Sequence, residues 1–243
     1  MLRPRFFTAL DLDSGSLTLE KEPSRHIAKA LRMRVGDTLC LFDGRGREGH
    51  GVIEAIERDN VQVRIDSVID IERESPLTVT LAISLSRGDR VDTIVQKATE
   101  LGVNTILPFT SERTGVRLEP ARLARKRDHW QKIAISACEQ CGRNVVPEIH
   151  PVASFTELLT RVRELPGLRL LLQPTGEAQP LPPHCESLCL LIGPEGGFSD
   201  PEVQAAVDAG FASLQLGPRI LRTETAPLAA IAVAQARWGD LLG

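Results

Sequence analysis

The spacing of apolar residues predicts a different kind of structure in each part of the chain. Up to about residue 70, short apolar runs of strand length alternate with turn sequences, and the predicted strands are residues 16–19, 38–42, 51–56 and 61–69. A helix between residues 23 and 36 interrupts them, with Ile27, Ala30 and Leu31 at helical spacing. The pattern predicts a small β-barrel with one helix.

Beyond residue 77, apolar strands alternate with longer helical segments. The predicted strands are residues 78–84, 105–108, 169–172, 188–192 and 213–216, and the predicted helices are residues 90–101, 120–139, 154–165, 202–209 and 226–238. Such alternation is typical of a parallel sheet covered by helices. Because the charged segment 70–76 separates the two patterns, we predict an α/β protein with two domains, residues 1–72 and 73–243.

Composition narrows the class of protein. The 243 residues are 42% hydrophobic and 25% charged, as in ordinary globular proteins. No apolar run approaches the roughly 18 residues of a membrane span, and no apolar stretch follows the charged N-terminus. The five cysteines are scattered in a chain too large to depend on disulfides. We therefore expect a cytoplasmic protein with reduced thiols and no membrane partner.

Charge is distributed unevenly along the chain. The formal net charge of −3 does not favour nucleic-acid binding, but residues 113–143 contain eight basic against three acidic side chains. A second basic cluster lies near the N-terminus. Either cluster taken alone is more simply a solvated surface.

A glycine-rich segment follows the predicted strand 188–192. Residues 193–197 read GPEGG, and Ser199, Pro201 and Glu202 then form the start signals of a helix. Open α/β sheets bind ligands at such strand ends. The segment matches neither the P-loop nor the dinucleotide-binding fingerprint, which argues against a cofactor that is bound through its phosphate groups. Taken alone, it fits a tight turn without a ligand equally well.

A second segment has the same organisation. Residues 214–227 read LQLGPRILRTETAP, a strand end, Gly217, an irregular loop and a helix that Thr223 or Thr225 can cap. If the two strands are neighbours, the two loops form one pocket. Main-chain groups could then contact a flat base, and a helix N-terminus would favour a carboxylate.

These two segments carry a family resemblance. The stretches 192–198 (IGPEGGF) and 216–226 (LGPRILRTETA) resemble the RsmE family of SPOUT methyltransferases. Further blocks agree in the same order: 3–7 (RPRFF), 26–37 (HIAKALRMRVGD), 42–44 (FDG), 97–103 (KATELGV), 111–113 (SER) and 137–143 (ACEQCGR). The resemblance spans essentially the whole chain.

The resemblance implies a PUA-like β-barrel followed by a trefoil-knotted SPOUT domain of α/β class. It also implies a homodimer that uses S-adenosylmethionine to methylate N3 of one uridine in 16S ribosomal RNA of the small subunit. The implied cofactor contacts are Leu172, Gly193, Gly197, Leu216, Ile220, Leu221, Arg222, Thr225 and Ala226. Composition and periodicity imply none of this, and a knot is very rare among folds.

Methylation at N3 also requires removal of the imide proton. Either a carboxylate takes it, or a cation stabilises the resulting anion. The carboxylates near the motifs are Glu195, Glu224 and Glu139, and the cations are Arg222, Arg219 and Arg143. We predict Arg222 as the stabilising cation, with Glu195 and Glu224 as further catalytic residues. A salt bridge between Arg222 and Glu224 explains that arginine equally well.

The remaining expectations concern RNA and metals. The predicted RNA contacts are Arg3, Arg5, His26, Lys29, Arg32, Arg34, Arg87, Arg113 and Arg143.

Cys138 and Cys141 form a single CxxC pair inside a predicted helix, and the five histidines lack ligand spacing, so we expect no metal site. Two other functions stay open: methylation of another RNA, and a non-catalytic module that binds RNA or ribosomes.

Overall fold

The computed structural model describes residues 3–58, 60–115, 119–173 and 180–242. It divides into two compact units: Met1–Glu74 with Ile135–Val146, and Ser75–Ala134 with Pro147–Gly243. No sequence signal indicates that residues 135–146 belong to the first unit, because they continue the helical pattern of residues 120–139. The domain boundary between residues 72 and 73 stays a prediction.

The first unit is built on a five-stranded sheet. Its strands are β1 (Arg5–Phe7), β2 (Ser16–Thr18), β3 (Thr38–Phe42), β4 (Arg47–Glu57) and β5 (Asn60–Asp70), in the spatial order β1-β3-β4-β5-β2. β1 pairs with β3 in parallel, and the other pairs are antiparallel. Phe6, Leu39, Leu41 and Ile53 are fully or almost fully buried in the core of this unit.

The helix predicted between residues 23 and 36 is shorter and less regular than its pattern indicates. α1 (Lys21–Arg25) continues into a π-helical turn, His26–Ala30. Ile27 is buried as predicted, but Leu31 is 46% exposed. The wider turn, in which the Leu31 N–H donates to the His26 carbonyl, rotates later residues away from the core.

The second unit contains a seven-stranded sheet whose strand pairs are all parallel. The strands are β6 (Thr78–Ser84), β7 (Thr105–Thr110), β8 (Glu148–Ile149), β9 (Ala153–Ser154), β10 (Leu168–Leu172), β11 (Ser187–Ile192) and β12 (Ala212–Leu214). The helices are α2 (Arg90–Glu100), α3 (Pro120–Cys141), α4 (Phe155–Val162), α5 (Asp200–Asp208) and α6 (Thr225–Trp238), and the end of α3, from Ile135 onward, belongs to the first unit. The predicted α/β class is confirmed, while the threading of a trefoil knot stays a prediction.

The order of the strands places β11 in the interior of this sheet. The order is β12-β10-β11-β6-β7-β8, and β9 pairs with β7. The uninterrupted apolar run of β11 is buried, as expected for a parallel strand covered on both faces. Phe109, Leu171 and Leu191 join one core cluster, which also contains Leu158 of α4 and Ala206 of α5. None of the described helices is both long and apolar enough to cross a membrane.

Candidate functional site

Three neighbouring strands end at one edge of the parallel sheet. β12, β10 and β11 end at Leu214, Leu172 and Ile192. The two glycine-containing loops are residues 193–199, here loop 1, and residues 215–224, here loop 2. Their strands are separated by β10, which contributes Leu172 between them. The loops therefore leave the sheet on the side where parallel α/β sheets bind ligands.

A cavity of about 550 Å³ lies between these loops. This volume is within the range of about 300–1,000 Å³ that is common for small-molecule sites. The cavity is lined by Arg113, Leu172, Gln173, Asp200, Val203 and Ala226, and by residues 192–198, 214–217, 219–221 and 223. Its walls combine aliphatic side chains with glycine main chain, a combination suited to a flat base.

Most of the predicted cofactor residues line the cavity. These are Leu172, Gly193, Gly197, Leu216, Ile220, Leu221 and Ala226. Arg222 and Thr225 are not among the lining residues. Sequence reasoning missed Gln173, Val203 and Gln215, although Gln173 lies one residue beyond the predicted strand 169–172; Gln215 was placed inside the predicted strand 213–216, and the observed β12 ends one residue before it. Contact of any of them with a cofactor stays a prediction.

Aromatic packing and a capped helix shape loop 1. A Cβ atom on Gly193 would lie 2.9 Å from the Phe198 ring, which itself stacks on Phe109 with ring centroids 6.2 Å apart. At the end of the loop, the Glu202 carboxylate accepts the Ser199 N–H at 2.9 Å, which is the capping box predicted from the sequence. Gly193 therefore permits the close packing that fixes the loop against the sheet.

The segment after β7 also supports loop 1. The Arg113 guanidinium donates to the carbonyls of Gly196 and Phe198 at 3.1 and 3.2 Å. The Glu112 N–H donates to Glu202 at 2.8 Å. Arg113 was predicted to contact RNA, and it remains exposed. Its guanidinium nevertheless has a structural task, because it holds main-chain carbonyls beside the cavity.

Arg90 connects the two loops, and sequence reasoning missed it. Its guanidinium pairs with Glu195 of loop 1, and its Nε lies 3.6 Å from the Glu224 carboxylate of loop 2. Arg90 lies at the start of α2, far from either loop in the sequence, so no local spacing indicates these contacts. Glu195 and Glu224, the two predicted catalytic carboxylates, are therefore partners of one arginine.

We expect Arg90→Ala to weaken S-adenosylmethionine binding by up to about tenfold. The pairs are partly exposed and each contributes roughly 0.2–1 kcal/mol, so losing both loosens the cavity without unfolding the protein. Calorimetric titration with the cofactor measures the change. A double-mutant cycle with Glu195→Gln should show coupling, and Arg90→Lys should retain part of the affinity. Unchanged affinity in Arg90→Ala would contradict this role.

The start of α6 differs from its predicted capping. α6 begins at Thr225 after Glu224, and no side chain caps it, so neither Thr223 nor Thr225 acts as predicted. The Arg222 carbonyl instead accepts the N–H groups of Thr225 and Ala226, both at 2.9 Å. The Arg222 side chain is exposed, while its neighbours Leu221 and Thr223 line the cavity. Arg222 is thus next to the cavity in the chain without being one of its lining residues.

The other candidate catalytic groups occupy different surroundings. Arg219 lines the cavity. Glu139 belongs to the first unit, where its carboxylate accepts the Phe7 N–H at 3.1 Å, and burial raises the pKa of its side chain. The hydrogen bond from Phe7 opposes this increase. The structure therefore gives Glu139 a role in anchoring β1.

Most of the predicted RNA contacts are exposed. These are Arg3, His26, Lys29, Arg32 and Arg34 in the first unit, and Arg87 and Arg113 in the second. Arg3 lies 3.2 Å from a ring nitrogen of His50, and Arg87 donates to the Gly115 carbonyl at 3.2 Å. Their contact with RNA stays a prediction. Arg117, counted in the basic cluster of residues 113–143, lies outside the described residues.

Arg5 and Arg143, also predicted to contact RNA, are far less exposed than the others. The Arg5 side chain is 12% exposed and donates to Glu48 at 2.7 Å, whereas Arg143 is 6% exposed and pairs with Glu74. Arg73 also donates to Glu48 at 2.7 Å. A buried charge is stable only when it is paired, so these ion pairs stabilise the first unit. Contact of either arginine with RNA stays a prediction.

Glu48 also belongs to a group of three metal-ligating side chains. Ligand atoms of Cys40, Glu48 and His50 lie within 4.8 Å of one another. Burial raises the pKa of the Cys40 thiol to about 11, so this sulfur is protonated at neutral pH. Since two guanidinium groups already pair with the Glu48 carboxylate, the group offers little free negative charge to a cation. The expectation of no metal site stays a prediction.

We expect Glu48→Gln to destabilise the protein by about 3 kcal/mol at neutral pH, because it leaves a buried arginine without its partner. Burial acts to raise the pKa of Glu48, but hydrogen bonds from Arg73 and Arg5 outweigh it and lower the pKa from 4.5 to about 2. This stabilisation is complete above pH 4.5 and disappears as the pH falls towards 2.

Urea unfolding followed by circular dichroism between pH 2.5 and 7 measures this contribution. The difference between the wild type and Glu48→Gln should shrink as the pH decreases. Asp13→Asn, which breaks the exposed Arg47–Asp13 pair, is a matched control with an expected effect below about 0.5 kcal/mol. Equal stabilities of wild type and Glu48→Gln at pH 7 would exclude a stabilising network.

Comparison with known proteins defines the class of protein, an RNA methyltransferase with a PUA domain. An RNA methyltransferase family model matches residues 73–235, and a model of the RNA methyltransferase PUA domain matches residues 19–66. The sequence is 32% identical to the Bacillus subtilis protein named ribosomal RNA small subunit methyltransferase E, over 90% of this chain and 89% of that protein. The protein of the same name from a Buchnera aphidicola strain is 36% identical, with 93% and 92% covered.

Solved structures agree with these matches. A methyltransferase from Legionella pneumophila in complex with bound S-adenosylmethionine has a TM-score of 0.90 and 39% identity, covering 99% of this chain and 100% of that one. The Neisseria gonorrhoeae ribosomal RNA small subunit methyltransferase E bound to S-adenosylmethionine has a TM-score of 0.86 and 38% identity, covering 98% and 99%. This chain belongs to the RsmE family of RNA methyltransferases, as its sequence motifs predicted.

Proposed function

We propose that this chain transfers the methyl group of S-adenosylmethionine to N3 of one uridine in 16S ribosomal RNA of the small subunit. The observation that carries the proposal is the cavity between loops 1 and 2 at the carboxyl edge of the parallel sheet. Support comes from relatives that cover nearly the whole chain and are named as small-subunit ribosomal RNA methyltransferases.

The cavity fits S-adenosylmethionine. Leu172, Leu216 and Leu221 provide apolar walls for the adenine, and the glycine main chain of loop 1 permits close approach. Gln173 and Asp200 are polar lining residues that can orient the ribose and amino acid portions. When bound, the cofactor supplies an electrophilic methyl group. The chain's own contribution is to hold the uridine N3 in line with that group.

The exposed guanidinium of Arg222, which is next to the cavity in the chain, is our proposed stabiliser of the N3 anion. A fixed positive charge beside a developing anion lowers the barrier to forming that anion. Glu195 and Glu224 remain proposed proton acceptors, although each contacts Arg90. Because N3 lies on the base-pairing edge, the uridine must be unpaired or flipped out of its helix to reach the cavity.

Three further properties belong to the proposal: a homodimer, a trefoil-knotted chain and a cytoplasmic location. Support for the dimer comes from α6, whose largely apolar sequence leaves Val233 49% exposed. Homodimers commonly bury such surfaces. Sedimentation equilibrium of the purified protein tests it, and a monomer at micromolar concentration would exclude the dimer.

Mass spectrometry of ribosomal RNA from a strain that lacks this chain tests the function. We expect 3-methyluridine to disappear from 16S RNA and to return when the wild-type chain is restored. Retained 3-methyluridine with a methyl group missing from transfer RNA would favour the alternative RNA substrate. A protein that binds RNA but shows no heat of binding with S-adenosylmethionine would be a non-catalytic binding module.

A further inference from the structure

The part of α3 that belongs to the second unit, residues 120–134, is the most basic helical segment of that unit, and neither the cavity nor the predicted RNA contacts uses it. Residues 120–134 read PARLARKRDHWQKIA, with five basic side chains against one acidic side chain. The chain as a whole has a net charge of −3, so the net charge of this segment is opposite in sign to that of the whole chain. Such a local surplus attracts polyanions.

Helical spacing separates this segment into two faces. Trp130 and Ala134 are fully buried and anchor the helix, and the Trp130 indole donates to Asp92 of α2 at 2.8 Å. On an exposed side of the helix, successive intervals of three, four and three residues align Arg122, Arg125, His129 and Lys132, all of which are exposed. This set is the basic face of α3, and it extends over about 15 Å.

Two acidic side chains lie beside the basic face of α3. Asp92 contacts His129 at 2.8 Å, and the exposed Asp128 pairs with Arg127, which projects from another side of the helix. Among the described residues, neither Arg122 nor Arg125 makes a salt bridge with an acidic side chain. This face contains no Phe, Tyr or Trp, so it lacks the large aromatic surfaces on which unpaired bases stack.

We propose that the basic face of α3 binds phosphates of the substrate RNA and positions it without reading its sequence. The inference rests on the proposed function, since it assigns a docking surface to the same RNA substrate. Cations in a row along an exposed helix contribute salt-dependent affinity, whereas sequence recognition requires contacts with base edges. The face would act on the affinity for RNA and leave cofactor binding unchanged.

The double variant Arg122→Gln with Arg125→Gln tests the proposal. It should raise the Kd and the KM for a 16S RNA fragment by about tenfold near physiological salt, and reduce the slope of log Kd against log salt by about 1.4. Its kcat at saturating RNA and its calorimetric affinity for S-adenosylmethionine should equal those of the wild type. Replacing both arginines by lysine retains the charge and should restore RNA affinity.

Arg127→Gln is the matched control, because it removes one charge from the same helix outside the basic face. It should change RNA affinity by less than about twofold. If the double glutamine variant binds RNA with wild-type affinity and salt slope, or if Arg127→Gln weakens binding equally, the proposal is overturned. A wild-type protein that methylates no RNA overturns the proposed function instead, and RNA binding by the same variants still decides the role of α3.

Discussion

Replacing Ala226 by tryptophan is expected to weaken S-adenosylmethionine binding by at least about 1,000-fold, roughly 4 kcal/mol, and to abolish methyl transfer. Ala226 lines the cavity at the start of α6, between loop 2 and the helix body. An indole in this position occupies space that the cofactor needs. Calorimetric titration of the purified variant with S-adenosylmethionine measures the loss.

Two comparisons separate occlusion from unfolding. Ala226→Ser adds only a hydroxyl group, and we expect its cofactor affinity to remain within about threefold of the wild type. The thermal midpoint of Ala226→Trp should stay within a few degrees of the wild type, because Ala226 is only partly buried. A folded Ala226→Trp variant that binds the cofactor with wild-type affinity would show that the cavity is not the cofactor site.

Arg222→Gln is expected to lower kcat by about 100-fold and to leave the affinity for S-adenosylmethionine nearly unchanged. The physical reason is that the anion formed at N3 loses a fixed positive charge, which commonly contributes a factor of about 100 or more. Arg222 lies between two cavity-lining residues, yet its exposed side chain is not part of the lining. Steady-state methylation of RNA at saturating cofactor measures the effect.

A pH profile identifies the role of Arg222 more specifically. If the guanidinium stabilises the N3 anion, the defect of Arg222→Gln should diminish as the pH increases, because solvent then removes the N3 proton more readily. Arg222→Lys should retain more activity than Arg222→Gln. A pH-independent defect, or an equal loss of cofactor affinity, would instead indicate that Arg222 shapes loop 2.

Local signals predicted the elements that position the candidate site. The apolar run of β11, the glycines of loop 1 and the capping pair Ser199 and Glu202 each depend on residues within a few positions of one another. They correctly predicted a strand, a tight loop and a helix in that order. The same reasoning found the second loop, although β12 ends at Leu214, two residues earlier than predicted.

Contacts between distant residues could not be predicted in this way. Arg90 contacts Glu195 and Glu224, each more than 100 positions away in the sequence. Arg5 and Arg143 are largely buried and form ion pairs with Glu48 and Glu74 of the first unit. The sequence alone does not show whether a basic residue is exposed to solvent or paired with a carboxylate in the interior. Charge clusters therefore indicated RNA contacts at positions where the structure shows internal ion pairs.

The π-helical turn at His26–Ala30 shows a second limit of prediction from the sequence. Its sequence has apolar residues at ordinary helical spacing, so an α-helix is the natural prediction. One wider turn changes which residues face the core, and Leu31 becomes exposed as a result. Periodicity predicts a face only when the helix keeps its regular pitch.

The most direct test of the central claim is methylation in vitro. Purified protein is incubated with isotopically labelled S-adenosylmethionine and small-subunit ribosomal RNA from a strain that lacks this chain, and the RNA is then digested to nucleosides and analysed by mass spectrometry. Our account predicts labelled 3-methyluridine, close to one per RNA molecule, which Ala226→Trp fails to form. Absence of label, or label on a ribose or on a different base, would contradict it.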